Sequence, residues 1–146
     1  MFQEVEKVVI VVKVEEAAIF NTMKNKKFHR CGAHLPVINL RQTLDYYRDK
    51  FGFYEDWTEG AIDGGIRRDD MRMLFGEDAA HVQLINTETA RLNLIWFVDN
   101  IDEVYAEYQE RGIEIVNSLK SYIYGMREFA ITDLNGYYIR IAEGID

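Results

Sequence analysis

The chain has 146 residues, 48% of them hydrophobic, and a formal net charge of −8, which suits one globular domain and excludes a disordered chain. That negative balance argues against nucleic acid as a partner, because phosphate neutralisation needs clustered Lys and Arg, and it is compatible with a cationic ligand. The apolar run at residues 8–12 is far short of the ~20 residues of a membrane span, and Glu4 and Glu6 stand where a secretory leader carries positive charge.

Cys31 is the single cysteine, so no intrachain disulfide and no thiolate cluster is expected, and a cytoplasmic address follows. Residues 1–30 stand apart from the rest of the chain as an N-terminal extension. Residues 8–14 read as a strand, an extra edge strand of the fold, and residues 15–20 read as helical. Lys24, Lys26, Lys27 and Arg30 then form a basic cluster.

From Cys31 onward the chain repeats itself. An alternating strand over residues 31–38 leads to Asn39, after which Leu40, Leu44, Tyr47 and Phe51 recur along one helix face and Gly52 stops the helix. Strands are predicted over 53–59, 61–67 and 71–75, with a tight turn at Arg68-Asp69-Asp70. The stretch 76–90 reads as a connecting loop. The same order then returns: a strand over 91–98, Asn100, a helix carrying Ile101, Val104, Tyr105 and Tyr108, and a stop at Gly112. Asn39 with Gln42, and Asn100 with Glu103, resemble capping boxes. Strands over 113–117, 127–132 and 137–142 complete the second half. Asp133-Leu134-Asn135-Gly136 joins the last two and suits a type I′ hairpin turn. The order β-α-β-β-β, twice, predicts an α+β domain over 31–146 built from modules at about 31–75 and 91–143.

This arrangement resembles the vicinal oxygen chelate superfamily, which includes glyoxalase I, extradiol dioxygenases, fosfomycin-resistance enzymes and bleomycin-resistance proteins. The resemblance is carried by Leu35-Pro36-Val37-Ile38-Asn39, by Leu44-Asp45-Tyr46-Tyr47-Arg48-Asp49-Lys50-Phe51-Gly52-Phe53, and by Phe97-Val98-Asp99-Asn100-Ile101-Asp102. Gly125-Met126-Arg127-Glu128-Phe129-Ala130 is most similar to the bleomycin-resistance branch. Leu134 departs from the proline usual there, which changes turn stiffness. The resemblance implies paired modules that form a cupped mixed sheet with helices on the outer face, often in a homodimer.

Enzymes of that superfamily hold a divalent metal with His and Glu side chains inside the cup. Strand alternation puts Gly32, His34 and Pro36, then Asn93, Ile95 and Phe97, then Tyr138, Arg140 and Ala142 on the cup side. The metal-ligand places fall on Gly32, Asn93 and Arg140. A hydrogen atom, an amide and a guanidinium cannot grip an ion, so no metal and no other cofactor is expected. The lining of His34, Asn93, Phe97, Tyr138 and Arg140 suits an organic ligand with flat apolar parts and a polar or anionic edge. Trp57, Tyr122 and Tyr124 are expected at the rim, and Trp96 in the core. Arg140 reads either as a clamp for a carboxylate or phosphate or as half of a structural ion pair. His34 is a candidate general base, an orienting group, or a satisfied strand histidine. Arg127 reads as a strand brace. Three functions stand: a metal-free binding protein sequestering an antibiotic or aromatic metabolite, a lyase or dioxygenase, and an assembly module with a vestigial cup.

Overall fold

In the computed structural model the described residues are 11–19 and 27–145, and the chain divides into two units, residues 1–31 and 32–146. In the first unit, residues 11–19 form a helix, α1. The strand expected over 8–14 is therefore corrected at 11–14; residues 8–10, Lys24 and Lys26 lie outside the described residues. β-branched side chains favour strands by fitting a pleated surface beside other strands, and Lys13, Glu15, Glu16, Ala17 and Ala18 are compatible with a helix.

The second unit runs β1 (Ala33–Val37), α2 (Leu40–Asp49), β2 (Tyr54–Glu59), β3 (Asp63–Arg68), β4 (Met71–Glu77), α3 (Ala79–Ile85), β5 (Asn93–Phe97), α4 (Ile101–Glu110), β6 (Ile115–Tyr122), β7 (Met126–Thr132) and β8 (Tyr138–Gly144). The strands make two four-stranded sheets of the same design, ordered β1-β4-β3-β2 and β5-β8-β7-β6. In each, the first strand pairs in parallel with the last and the remaining pairs are antiparallel. The predicted two-module α+β plan is the observed one.

One element was not expected. Residues 79–85 are helical rather than loop, started by Asp78, whose side chain accepts a hydrogen bond from the His81 amide, and docked through buried Val82. The capping of α4 also differs. Asn39 caps α2 by accepting from the Gln42 amide, but Asn100 sits at φ 56° and its side chain makes no cap bond. Instead the Glu143 carboxylate accepts from the amides of Asn100 and Ile101, at 3.0 Å each, just as Glu77 accepts from the Leu40 amide at 2.8 Å. A carboxylate there satisfies orphan amides and meets the positive end of the helix dipole.

The helices cover one face of each sheet, and those faces share one core. Leu40, Leu44, Tyr47 and Phe51 from the first helical repeat meet Val37, Ile66 and Phe75; Ile101 and Tyr108 meet Phe129, Ile131, Ile139 and Ile141. Trp96 is in the core, as expected. Its ring lies 5.3 Å from Phe53, 5.8 Å from Phe51 and 6.2 Å from Tyr47, while Phe51 stacks on Tyr108 at 5.8 Å. Aromatic contacts of this kind add to area burial by about 1 kcal/mol each, and here they join module to module.

Polar groups reinforce that joint. Buried Asn135 accepts from the Ile38 amide at 2.9 Å and donates to the Thr43 hydroxyl at 3.2 Å, and the Tyr47 hydroxyl donates to Asp133 at 2.8 Å. The turn between β7 and β8 is consequently not type I′: Gly136 has positive φ and Asn135 does not. The Asn135 side chain is committed to the first module, and Asp133 holds the turn by accepting from the amides of Asn135 and Tyr137.

Candidate functional site

The faces turned away from the helices are open, and strand alternation selects what they display. On β1, Leu35 and Val37 are buried while His34 is exposed; on β5, Trp96 is buried while Asn93, Ile95 and Phe97 are exposed.

On the first sheet, pairing aligns Trp57, Gly65, Leu74 and His34 in one row across four strands. Gly65 matters for its missing side chain. A Cβ added there would lie 2.5 Å from Trp57 Nε1, so the glycine lets the indole lie against the sheet. His34 Nε2 is 3.6 Å from Asp63 Oδ1 with both side chains well exposed, beyond hydrogen-bonding distance. A recess of about 300 Å³ beside them is lined in part by His34, Asp63, Asp78 and His81.

On the second sheet, one row aligns Ile95, Arg140, Ala130 and Asn117, and its neighbour aligns Phe97, Ala142, Glu128 and Lys120. Arg140 bridges the rows: Nε donates to Glu128 Oε1 at 3.0 Å and Nη2 to Oε2 at 2.7 Å, a bidentate pair. Tyr124 donates its hydroxyl to the same Oε1 at 3.0 Å. The Arg140 hydrogen bonds hold the Glu128 carboxyl below its ordinary range against the opposing effect of burial. Of the two readings of Arg140, the structure shows the ion pair. Tyr138 accepts from the Asn117 amide group. Tyr122 and Tyr124 stack at 5.0 Å, with the Lys120 ammonium 4.8 Å above the Tyr122 ring. Arg127 braces β7 against α4 through a bidentate pair with Asp102.

The predicted residues thus divide between two faces, His34 and Trp57 on the first sheet, and Asn93, Phe97, Tyr122, Tyr124, Tyr138 and Arg140 on or beside the second. Asn93 and Tyr138 share a recess of about 430 Å³; His34 lines the separate one on the first sheet. Sequence reasoning missed Glu128 and Lys120. Glu128 alternates with core residue Phe129 and so had to face Arg140. Lys120 was missed because β6 was ended at residue 117, whereas it runs to Tyr122.

The family model described as the glyoxalase/bleomycin resistance protein/dioxygenase superfamily matches residues 27–141. The chain belongs to this superfamily. Solved structures similar to the chain agree in fold. The bleomycin resistance determinant encoded on transposon Tn5 is 17% identical with a TM-score of 0.68, covering 80% of this chain and 98% of that one. The bleomycin-binding protein of Streptomyces verticillus, solved with copper(II)-bleomycin, is 20% identical with a TM-score of 0.66, covering 82% and 98%. TioX from Micromonospora sp. ML1 is 16% identical with a TM-score of 0.65, covering 81% and 100%. No curated protein sequence matches the chain.

The superfamily's enzymes imply a divalent metal, and these side chains do not fit one. Arg140 has no lone pair to give and occupies the carboxylate of Glu128, while Asn93 offers a neutral amide. Among the described residues no three His, Cys, Asp or Glu side chains gather where they could hold an ion.

Proposed function

We propose that the protein is a metal-free small-molecule binding member of the superfamily, a cytoplasmic homodimer that sequesters an antibiotic or aromatic metabolite. The observation that carries this reading is the Arg140–Glu128 pair at a metal-ligand position of the second module: a guanidinium there replaces an ion's charge with a fixed organic cation. The open faces support a dimer. Phe97 is 72% exposed and Trp57 39% exposed, side chains that carry a hydration penalty until a second copy or a ligand covers them. Two faces of one chain, each presented to the opposite face of a second, would close two equivalent cups. Neighbours of this fold include a bleomycin-binding protein solved with bleomycin, which supports a bulky organic ligand.

The test combines calorimetric titration of bleomycin and of flat aromatic compounds, sedimentation, and metal analysis of protein purified without chelator. Saturable binding by a metal-free dimer is expected. A stoichiometric divalent ion overturns the metal-free reading, a monomer at working concentration overturns the dimer, and no saturable heat with any compound overturns sequestration.

A further inference from the structure

A recess of about 320 Å³ lies between the modules on the helix-covered side, lined by residues of the β3–β4 turn, the end of β5 and α4. Phe97, exposed on the open face of β5, also lines it, so the recess adjoins that face, while most of its wall comes from residues beyond the open faces. Its apolar lining includes Phe53, Met71, Trp96 and Val104, and its charged lining includes Asp69, Asp70 and Asp99. Arg68 is also in the lining, but its guanidinium is committed: Nη1 donates to the Phe51 carbonyl at 2.7 Å and Nη2 to Glu107 at 2.7 Å. Glu107 and Asp69 both act on that cation. Asp70 and Asp99, both exposed, make no ion pair among the described residues. The recess therefore combines an apolar wall with an uncompensated negative mouth, and its volume falls within the range of small-ligand sites.

We propose that this junction recess binds a small amphipathic organic cation, its apolar body against Trp96, Met71 and Val104 and its ammonium facing Asp70 and Asp99. Charge complementarity selects the sign. A carboxylate ligand meets the like charges of Asp70 and Asp99, and a neutral ligand gains only the wall.

The test uses the full chain with Trp57→Phe, which leaves Trp96 as the only tryptophan of the two in the sequence. Titration with 2-phenylethylammonium, followed by Trp96 emission and calorimetry, is expected to be saturable and to weaken with salt. The neutral 2-phenylethanol and the anionic 3-phenylpropionate are expected to bind progressively less. Replacing both Asp70→Asn and Asp99→Asn is expected to weaken the ammonium on the order of tenfold while leaving the alcohol unchanged, since exposed charges each contribute modestly. Val104→Phe, which fills the recess, is expected to weaken all three, with a near-ultraviolet circular dichroism spectrum confirming the fold. Equal binding of the three probes, indifference to the Asp replacements, or binding that survives Val104→Phe each overturns the proposal; so does no binding of the ammonium to protein whose spectrum is native. Because Asp70, Asp99 and Val104 are not among the open-face side chains that the cup titrations probe, failure here leaves the sequestration reading standing, and the reverse holds.

Discussion

Asp133 ties the β7–β8 turn to the first module, and its ionisation is predicted to weaken the fold. Its carboxylate is buried, accepts from two backbone amides and from the Tyr47 hydroxyl, and its nearest titratable neighbours Tyr46, Tyr47 and Tyr137 are all shifted upward, so they are neutral in the acid range. Burial outweighs the hydrogen bonds and raises its pKa from 3.8 to about 6. A raised carboxyl means that the folded chain holds the proton more tightly than the unfolded chain. Stability linked to this group is therefore complete below the unfolded value of 3.8, falls as pH rises between 3.8 and about 6, and is fully lost above. Roughly two pKa units at about 1.4 kcal/mol each give a change of about 3 kcal/mol. Asp133→Asn keeps the shape and an acceptor for the two amides and cannot ionise. The assay is urea unfolding of both proteins at about pH 4 and about pH 7. The wild type is expected to lose about 2 kcal/mol of that relative to the variant between those values, because at pH 4 the unfolded carboxyl is already partly ionised. Glu128 and Glu107, whose carboxyls are lowered by Arg140 and Arg68, give stability that is lost as pH falls, but that slope is common to both proteins and cancels in the difference. A difference that does not change with pH refutes the argument.

Asn135→Ala removes the partner of the Ile38 amide and of the Thr43 hydroxyl; the variant is expected to unfold about 2 kcal/mol more easily, as read from its denaturant midpoint, because a buried donor left unpaired costs about that much. Gly65→Ala places a methyl group 2.5 Å from Trp57 Nε1, so the indole must leave the sheet. Its fluorescence emission is expected to shift to the red, with a stability loss of about 1 kcal/mol, and unchanged emission would contradict the packing of Trp57 over Gly65.

What was legible in the sequence was what depends on periodicity. The alternation of His34 with Leu35 and Val37, and the four-residue spacing of Leu40, Leu44 and the repeat at Ile101, state which face is buried without any long-range information. Two kinds of feature escaped. Short elements gave too little pattern: α3 has seven residues, and its best signal was Asp78 three places before His81. Partners distant in sequence were the other kind. Glu143 reaches Asn100 across 43 residues, and Asn135 reaches Ile38 across 97. Local chemistry therefore suggested an Asn cap at Asn100 and a free hairpin turn at Asn135, and tertiary bonding overruled both. On β8 the alternation set Arg140 opposite buried Ile139 and Ile141, yet the identity of its ion-pair partner required knowing that Glu128 lies diagonally across the adjacent strand.

The two carboxylates that seat the helices have a temporal meaning. Glu77 and Glu143 each belong to the last strand of a module and hold the first turn of that module's own helix. A helix that emerges early from synthesis thus waits for the final strand before its leading amides are satisfied. Each helix start is accordingly completed by the strand that its own module adds last, which couples the two ends of each half.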